Sequence, residues 1–328
     1  MNSRQRVIDV IQHRRPDRMP IYGWVRANLD KPISEKFGSC DAFEDHYEFD
    51  LAHLFSGFGS YTSEQLDAYR QQCGGAIDPA QLLDLPMRDP NDSGAYAELR
   101  RKIAHHRARE RFLYVQTPGI FEGLNWPFGI ENHLMYTALY EEELKEVYRR
   151  QAEWNRAFAL NCLDLGVDMI HVSDDWGAQA GLMFSPNYWR RMIYPYHRIV
   201  CDAVKKRGAF LSLHSDGNVT CVLDGIVELG YDVVHPFQES AGMGLELFKQ
   251  KYRKSFTVLG GLDVQDTIGF GDYDKLRLAI ERVMGMFQDG GLIFCTTHFV
   301  QDHCTIEELT FAYDLVYKLA RQTTPGNR

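Results

Sequence analysis

Short apolar segments alternate with longer amphipathic segments along most of the chain. Segments 141–165, 186–207 and 273–288 have the periodicity of amphipathic helices. Eight shorter segments have the length and apolar composition of buried strands: 19–24, 51–57, 112–116, 169–173, 210–214, 232–237, 256–261 and 292–296. Near-continuous apolar strands separated by helices are typical of a parallel sheet covered on both faces.

Eight such strands over about 300 residues predict an α/β fold, a (β/α)8 TIM barrel, with a doubly wound open sheet as the alternative. Polar residues favour the barrel, because they follow the strands, and active sites of barrels lie at the C-terminal ends of their strands. These polar segments are 173–176, 214–217, 238–239, 260–263 and 295–298. Since no low-complexity linker or repeat interrupts the sequence, we expect residues 1–328 to form a single domain.

The charge balance argues against several kinds of partner. The chain has 45 acidic residues against 36 Lys and Arg, a formal net charge of −9, and no basic stripe. This predicts that it binds neither nucleic acid nor an anionic membrane. No apolar stretch reaches the ~18–20 residues of a membrane span and no secretory leader is evident, so we expect a cytoplasmic protein.

The remaining composition excludes other chemistries. Seven cysteines without a CxxC pair predict free thiols rather than a disulfide framework. The motifs GxSxG, GxxxxGK[ST], HExxH and a strand-linked GxGxxG are all missing from the sequence, which disfavours serine hydrolases, NTPases, zincin proteases and dinucleotide enzymes.

The order of the polar motifs resembles the uroporphyrinogen decarboxylase superfamily over nearly the whole chain. The N-terminal part of the resemblance is VIDVIQHRRPDRMPIYGWVRA, and the stronger part, from 173 to 320, includes LSLHSDGNV, VLGGLD and CTTHFVQDHCTIEEL. The resemblance implies a barrel. It also implies one of two activities, porphyrinogen decarboxylation or zinc-dependent methyl transfer between corrinoids and thiols.

The decarboxylase branch matches less well. Its Arg-Gln-Ala-Gly-Arg motif, which holds substrate carboxylates, corresponds here to 24–28, where only Arg26 remains. The aspartate that follows Phe-Ser in that branch corresponds to Gly57, after Phe55 and Ser56. Porphyrinogen decarboxylation is therefore the alternative reading.

The methyltransferase branch has a His-x-Cys motif and a later cysteine as zinc ligands. The corresponding residues here are His214, Asp216 and Cys295, which implies a zinc site with one thiolate replaced by a carboxylate. Zinc accepts all three ligand types and needs an open fourth position for catalysis. Because imidazole and carboxylate are harder ligands than thiolate, this set is less selective for zinc than a set with two thiolates. Another divalent ion, or a site without a metal, remains an alternative.

Further rim residues are candidates for acid–base and substrate contacts. We expect Asp175, Asp216 and His298 to be catalytic. Helix capping is the structural alternative for the aspartates, and His298 could instead be a fourth metal ligand or a hydrogen-bond donor to substrate. The candidate substrate-binding residues are Arg26, Asp174, Trp176, Gln179, Gln238 and Asp263.

Together these features predict a methyltransferase that moves a methyl group between a small molecule or corrinoid and an acceptor. A corrinoid would arrive on a separate protein or as a free cofactor, because the barrel accounts for the chain, and the resemblance implies a possible homodimer. The alternatives are a decarboxylase or lyase acting on a carboxylated, porphyrinogen-like substrate, and a non-catalytic ligand-binding barrel.

Overall fold

A curled sheet of seven parallel strands forms the centre of the protein. The computed structural model describes residues 1–322. The strands in these residues are β1 (Leu51–Leu54), β2 (Phe112–Thr117), β3 (Met169–Ser173), β4 (Gly177–Ala178), β5 (Gly181–Leu182), β6 (Phe210–His214), β7 (Val233–His235), β8 (Thr257–Leu262) and β9 (Leu292–Thr296). The sheet order is β1-β2-β3-β6-β7-β8-β9, and β4 and β5 form a separate hairpin. The α/β class and the parallel sheet are thus confirmed.

The first of the eight expected strands is reduced to a bridge. Ile21 makes an isolated parallel bridge to Phe294 in β9, and the carbonyl of Ile21 accepts a hydrogen bond from the backbone of Asp50, just before β1. The segment therefore contacts both edge strands of the sheet. Pro20 cannot donate to a strand ladder, and the backbone N–H of Trp24 donates to the side chain of Thr296 rather than to a backbone carbonyl, so a regular eighth strand does not form.

Helices cover the outside of the sheet. They are α1 (Ser3–Ile11), α2 (Asp30–Phe37), α3 (Cys40–His46), α4 (Ser63–Cys73), α5 (Pro79–Asp84), α6 (Ala97–Arg107), α7 (Asn125–Phe128), α8 (Ile130–Leu139), α9 (Glu141–Asp164), α10 (Pro186–Tyr188), α11 (Tyr194–Lys206), α12 (Leu223–Leu229), α13 (Leu245–Leu247), α14 (Tyr273–Met286) and α15 (Ile306–Gln322). The helix predicted at 186–207 contains a π-helical turn, Trp189–Ile193, because Pro195 has no N–H to continue the α-helical pattern. No helix in residues 1–322 is long and apolar enough to cross a membrane.

The strand registers place the chemistry at one end of the sheet. Ser173 at the end of β3 pairs with His214 at the end of β6, and His214 pairs with His235 at the end of β7. Parallel strands end at the same edge, so the loops that follow them meet there.

Candidate metal centre

Four histidines from four strands surround one tryptophan inside the sheet. The distances from the ring centroid of Trp24 to the imidazole centroids are 4.9 Å for His53, 4.3 Å for His235, 5.3 Å for His214 and 6.1 Å for His171. Trp24 is 3% exposed. The indole therefore fills the interior and holds the imidazoles in fixed positions.

A hydrogen-bonded chain sets the tautomer of His214. Nε2 of His235 lies 3.2 Å from the carbonyl oxygen of Thr296, which can only accept, so this nitrogen carries the proton. Burial lowers the pKa of His235 far below its ordinary value and keeps the ring neutral. Nδ1 of His235 is then an acceptor, and Nδ1 of His214, 2.7 Å away, donates to it. The inferred consequence is that Nε2 of His214 presents a lone pair toward the rim.

At the rim, His214, Asp216 and His298 bring three potential ligand atoms within 4.8 Å of one another. Nε2 of His214 lies 3.8 Å from Oδ1 of Asp216, and Nε2 of His298 lies 3.8 Å from Oδ2 of the same carboxylate. His214 is 5% exposed, whereas the side chains of Asp216 and His298 are 34% and 40% exposed. The group is open to solvent on one side only.

The carboxylate of Asp216 is an unusual feature of this group. Its Oδ1 is buried and has no hydrogen-bond partner in residues 1–322. Burial raises the pKa of Asp216 to about 6; His214 opposes this shift, and the nearby carboxylates of Asp175 and Asp263 add to it. A buried carboxylate oxygen without a partner is costly unless a cation or donor meets it.

Two glycines hold Asp216 in place. The turn after β6 packs backbone to backbone on the β4–β5 hairpin, where Asn218 N–H donates to the carbonyl of Ala178 at 2.9 Å. A Cβ at Gly177 would lie 2.4 Å from the carbonyl oxygen of Asp216, and one at Gly217, whose φ is +72°, would lie 2.6 Å from the backbone of Gly177. No other residue type fits this close approach without moving the turn.

Two further acidic residues, Asp175 and Glu122, lie behind the group formed by His214, Asp216 and His298. Oδ1 of Asp175 accepts the backbone N–H of Asp216 at 2.8 Å and lies 3.6 Å from Nε2 of His214. Glu122 accepts a hydrogen bond from the hydroxyl of Ser173 at 3.0 Å. Burial, with the charges of Asp175 and Asp174, raises the pKa of Glu122 to about 8, so this carboxyl holds a proton at neutral pH.

Asp174 and Trp176, predicted to contact substrate, are buried structural residues. Both are 0% exposed. The carboxylate of Asp174 accepts from the backbone N–H groups of Phe121 and Glu122 and from the indole of Trp176. It also lies 2.7 Å from Nε2 of His197. Of the two neighbouring acids, only Asp175 faces the rim, which corrects the prediction for Asp174 and Trp176.

Cys295 does not lie with the residues proposed as its fellow ligands. It is 0% exposed within β9, and burial raises the pKa of its thiol. It belongs to neither group of three potential ligands found in residues 1–322. His298 lies beyond the end of the strand and reaches the rim, whereas Cys295 is still inside the sheet. The structure therefore brings His298, and not the expected Cys295, to His214 and Asp216.

The other predicted substrate residues lie at varied distances from this centre. Arg26 pairs with Asp41 at 3.2 Å and lines a cavity of about 510 Å³ whose wall also includes Trp24 and Phe299. Gln179 is exposed and donates to the carbonyl of Ser240. Gln238 is buried, and Asp263 accepts backbone N–H groups but is close enough to Asp216 to influence its pKa.

His171, His235, Glu122 and Trp24 were not predicted from the sequence. A signal was present for the histidines, since LAHL, MIHVS and DVVH each place one in an otherwise apolar strand. His171, His214 and His235 also form a buried group of potential ligands. In that group the Nδ1 atoms of His214 and His235 are already bonded to each other, so the rim group is the better metal site.

Comparison with known proteins identifies the family and agrees with the fold. A model of the uroporphyrinogen decarboxylase (URO-D) family matches residues 128–319, more than half of the chain. The chain belongs to the uroporphyrinogen decarboxylase family. The predicted family resemblance is thus confirmed. No curated protein sequence matches the chain.

Solved structures show the same architecture in distant proteins. A methyltransferase from Methanosarcina mazei has a TM-score of 0.71 at 13% identity, covering 97% of this chain and 99% of that one. A B12-independent methionine synthase from Shewanella sp. W3-18-1, in complex with selenomethionine, has a TM-score of 0.47 at 11% identity over 69% of this chain and 65% of that one. The first of these comparisons shows a shared fold.

Proposed function

We propose that this protein is a methyltransferase that uses a divalent metal ion, zinc in the first instance, held by His214, Asp216 and His298. The observation that carries the proposal is the carboxylate of Asp216. Its buried Oδ1 has no hydrogen-bond partner in residues 1–322, and its two oxygens each lie 3.8 Å from an imidazole nitrogen, of His214 and of His298. Family membership and the fold shared with the M. mazei methyltransferase support it.

The three side chains fit the chemistry of a catalytic zinc site. Two imidazole nitrogens and one carboxylate leave a coordination position for substrate, as in other catalytic zinc centres. His235 supplies the outer hydrogen bond that metal-bound histidines need. When bound, the metal would lower the pKa of a substrate thiol or hydroxyl and so supply a nucleophile at neutral pH.

The protein's own residues bind and move protons around that position. Asp175 is the carboxylate beside the three ligands, 3.6 Å from Nε2 of His214, and is placed to accept the proton that the methyl acceptor loses. Protonated Glu122 stands behind Asp175 and limits the negative charge of the group. Trp24 and Phe299, whose ring centroids are 4.9 Å apart, exclude water from the interior beside His298.

In this account the methyl group comes from, or goes to, a corrinoid that is carried by a separate protein or is free in solution. The alternative is a decarboxylase that uses the same rim without a metal. The raised pKa values of Asp216 and Glu122 favour this alternative, because a protonated carboxyl group can act as a general acid. Carbon dioxide release that is insensitive to chelators would identify this alternative.

Metal analysis of the untagged protein, by plasma mass spectrometry, tests the proposal. We expect about one equivalent of metal in the unaltered protein and its loss in His214→Gln and His298→Gln. His303→Gln is the matched control, because His303 is exposed, lies five residues further on and belongs to neither ligand group. Metal content unchanged in His298→Gln would contradict the ligand assignment, and metal-free native protein would favour the decarboxylase.

A further inference from the structure

A second cavity lies at the same end of the sheet, beside the ends of β1 and β2. Its volume is about 530 Å³, within the range of small-molecule sites. Its wall includes Phe55, Arg88, Gln116, Thr117 and Trp126. Gln116 pairs in register with His171 on β3, so this wall is continuous with the histidine cluster.

The cavity has two exposed aromatic side chains. Phe55 is 41% exposed and Trp126 is 47% exposed, and both line the same concave surface instead of lying singly on the outside of the protein. One neighbour of Phe55 is the imidazole of His53, with ring centroids 4.1 Å apart. Exposed aromatic faces in a concave site favour a flat, apolar ligand.

The cavity also contains a cation that makes no direct ion pair. The guanidinium of Arg88 lies 4.3 Å from the centre of the Phe58 ring, and it forms no ion pair or hydrogen bond with residues 1–322. The one acidic residue in the cavity wall, Glu64, is exposed, and its pKa is lowered chiefly by hydrogen bonds from its own backbone and from Thr62, with a smaller contribution from the charge of Arg88. Glu64 therefore interacts with Arg88 only weakly, through solvent, and leaves the guanidinium free to meet a ligand.

A buried hydroxyl adds a second polar group without a partner. Thr117 is 0% exposed, lines the cavity, and its Oγ1 has no hydrogen-bond partner in the described chain. By contrast, cations of the Arg26 cavity are compensated: Arg26 pairs with Asp41, and Arg101 pairs with Glu98 at 2.6 Å. The cavity beside Arg88 therefore has a cation without an ion pair, which would attract an anion, whereas Arg26 and Arg101 in the other cavity are already paired.

We propose that the cavity formed by Phe55, Arg88, Thr117 and Trp126 binds an aromatic carboxylate. The ring packs against Phe55 and Trp126, and the carboxylate accepts hydrogen bonds from the guanidinium, which matches it in charge and planar geometry. A single arginine fits a single negative charge. If the proposed function holds, this ligand is the small-molecule substrate of the metal centre.

Calorimetric titration of the full chain with three probes tests this inference. The probes are benzoate, benzamide, which lacks the charge, and cyclohexanecarboxylate, which lacks the aromatic ring. We expect saturable binding of benzoate, at least about tenfold tighter than either analogue. Arg88→Gln should weaken benzoate binding by about tenfold or more, Trp126→Ala should weaken it, and Arg88→Lys should weaken it less than Arg88→Gln.

Arg101→Gln is the matched control, because Arg101 lines the other cavity and pairs with Glu98. Trp126 fluorescence gives a second readout, since the other four tryptophans are at most 4% exposed. Equal binding of benzoate and benzamide, unchanged affinity in both Arg88→Gln and Trp126→Ala, or no saturable benzoate binding would overturn the inference. Chelator-treated protein is used, so that failure here is distinct from failure of the metal assignment.

Discussion

The Nδ1 atoms of His214 and His235 lie 2.7 Å apart. One of the two must donate, and the carbonyl of Thr296 beside His235 determines that it is His214. This relationship directs the lone pair of Nε2 of His214 toward the rim, although the side chain is only 5% exposed. The orientation of the imidazole is therefore fixed before any metal arrives.

We predict that removing the acceptor at position 235 weakens metal binding. His235→Leu should lower zinc affinity by about 10–100-fold, because His214 then loses the partner that fixes its tautomer. His235→Asn keeps a side-chain oxygen near the position of Nδ1 and should lose less. Competition with a chromophoric chelator measures both affinities, and equal zinc affinity in His235→Leu and the unaltered protein would refute the tautomer argument.

A second prediction concerns the close packing that holds Asp216. Gly177→Ala should reduce metal content, because the added Cβ would meet the carbonyl oxygen of Asp216 at 2.4 Å. Gly285→Ala is the control, since no atom lies within 4 Å of a Cβ there. Both variants are compared by metal analysis after checking their thermal melting. If Gly177→Ala kept its full metal content, the turn would not be what positions Asp216.

Stability should depend on pH through Glu122. Its pKa is raised in the folded protein, to about 8, so the folded state holds this proton more tightly than the unfolded state. The free energy of unfolding should therefore fall as pH rises from about 4.5 to about 8.

Glu122→Gln removes this dependence, because glutamine is neutral throughout. Relative to the unaltered protein it should gain stability between pH 5 and pH 9, on the order of a few kcal/mol, as measured by urea unfolding. A stability difference that stays constant across that range would show that Glu122 does not carry the raised pKa.

Asp174 should behave as a structural residue. Asp174→Asn places an amide group among four donors and breaks a buried pair with His197, which should cost roughly 3–5 kcal/mol. Asp302→Asn, at an exposed position, should cost less than about 0.5 kcal/mol. Urea unfolding measures both. A stable Asp174→Asn variant with impaired substrate binding would instead support the role predicted from the sequence.

The sequence predicts the fold better than the site. Strands 169–173, 210–214 and 292–296 match the structure residue for residue, because long apolar runs between amphipathic helices admit few arrangements. The segment 19–24 contacts both edges of the sheet but forms only an isolated bridge, because Pro20 cannot donate to a strand ladder.

Which side chains meet at the site depends on how far along each strand they lie. The spacing of residues in the sequence does not show where each strand ends. Cys295 and His298 are three residues apart, and the family resemblance pointed to Cys295 as the third ligand; the end of β9 lies between them, and only His298 reaches the rim. Likewise Asp174 and Asp175 are adjacent, but one is fully buried and the other reaches the rim. The sequence shows the interior histidines as single polar residues within apolar strands. It does not show that Trp24 packs against them, because Trp24 is distant in sequence and meets them only in the fold.

X-ray absorption at the zinc edge, on the zinc-loaded protein without substrate, tests the metal centre most directly. His214, Asp216 and His298 should give only nitrogen and oxygen scatterers at about 2.0–2.2 Å, with no change in Cys295→Ser. A sulfur scatterer at about 2.3 Å that disappears in Cys295→Ser would contradict the account and restore the cysteine as a ligand.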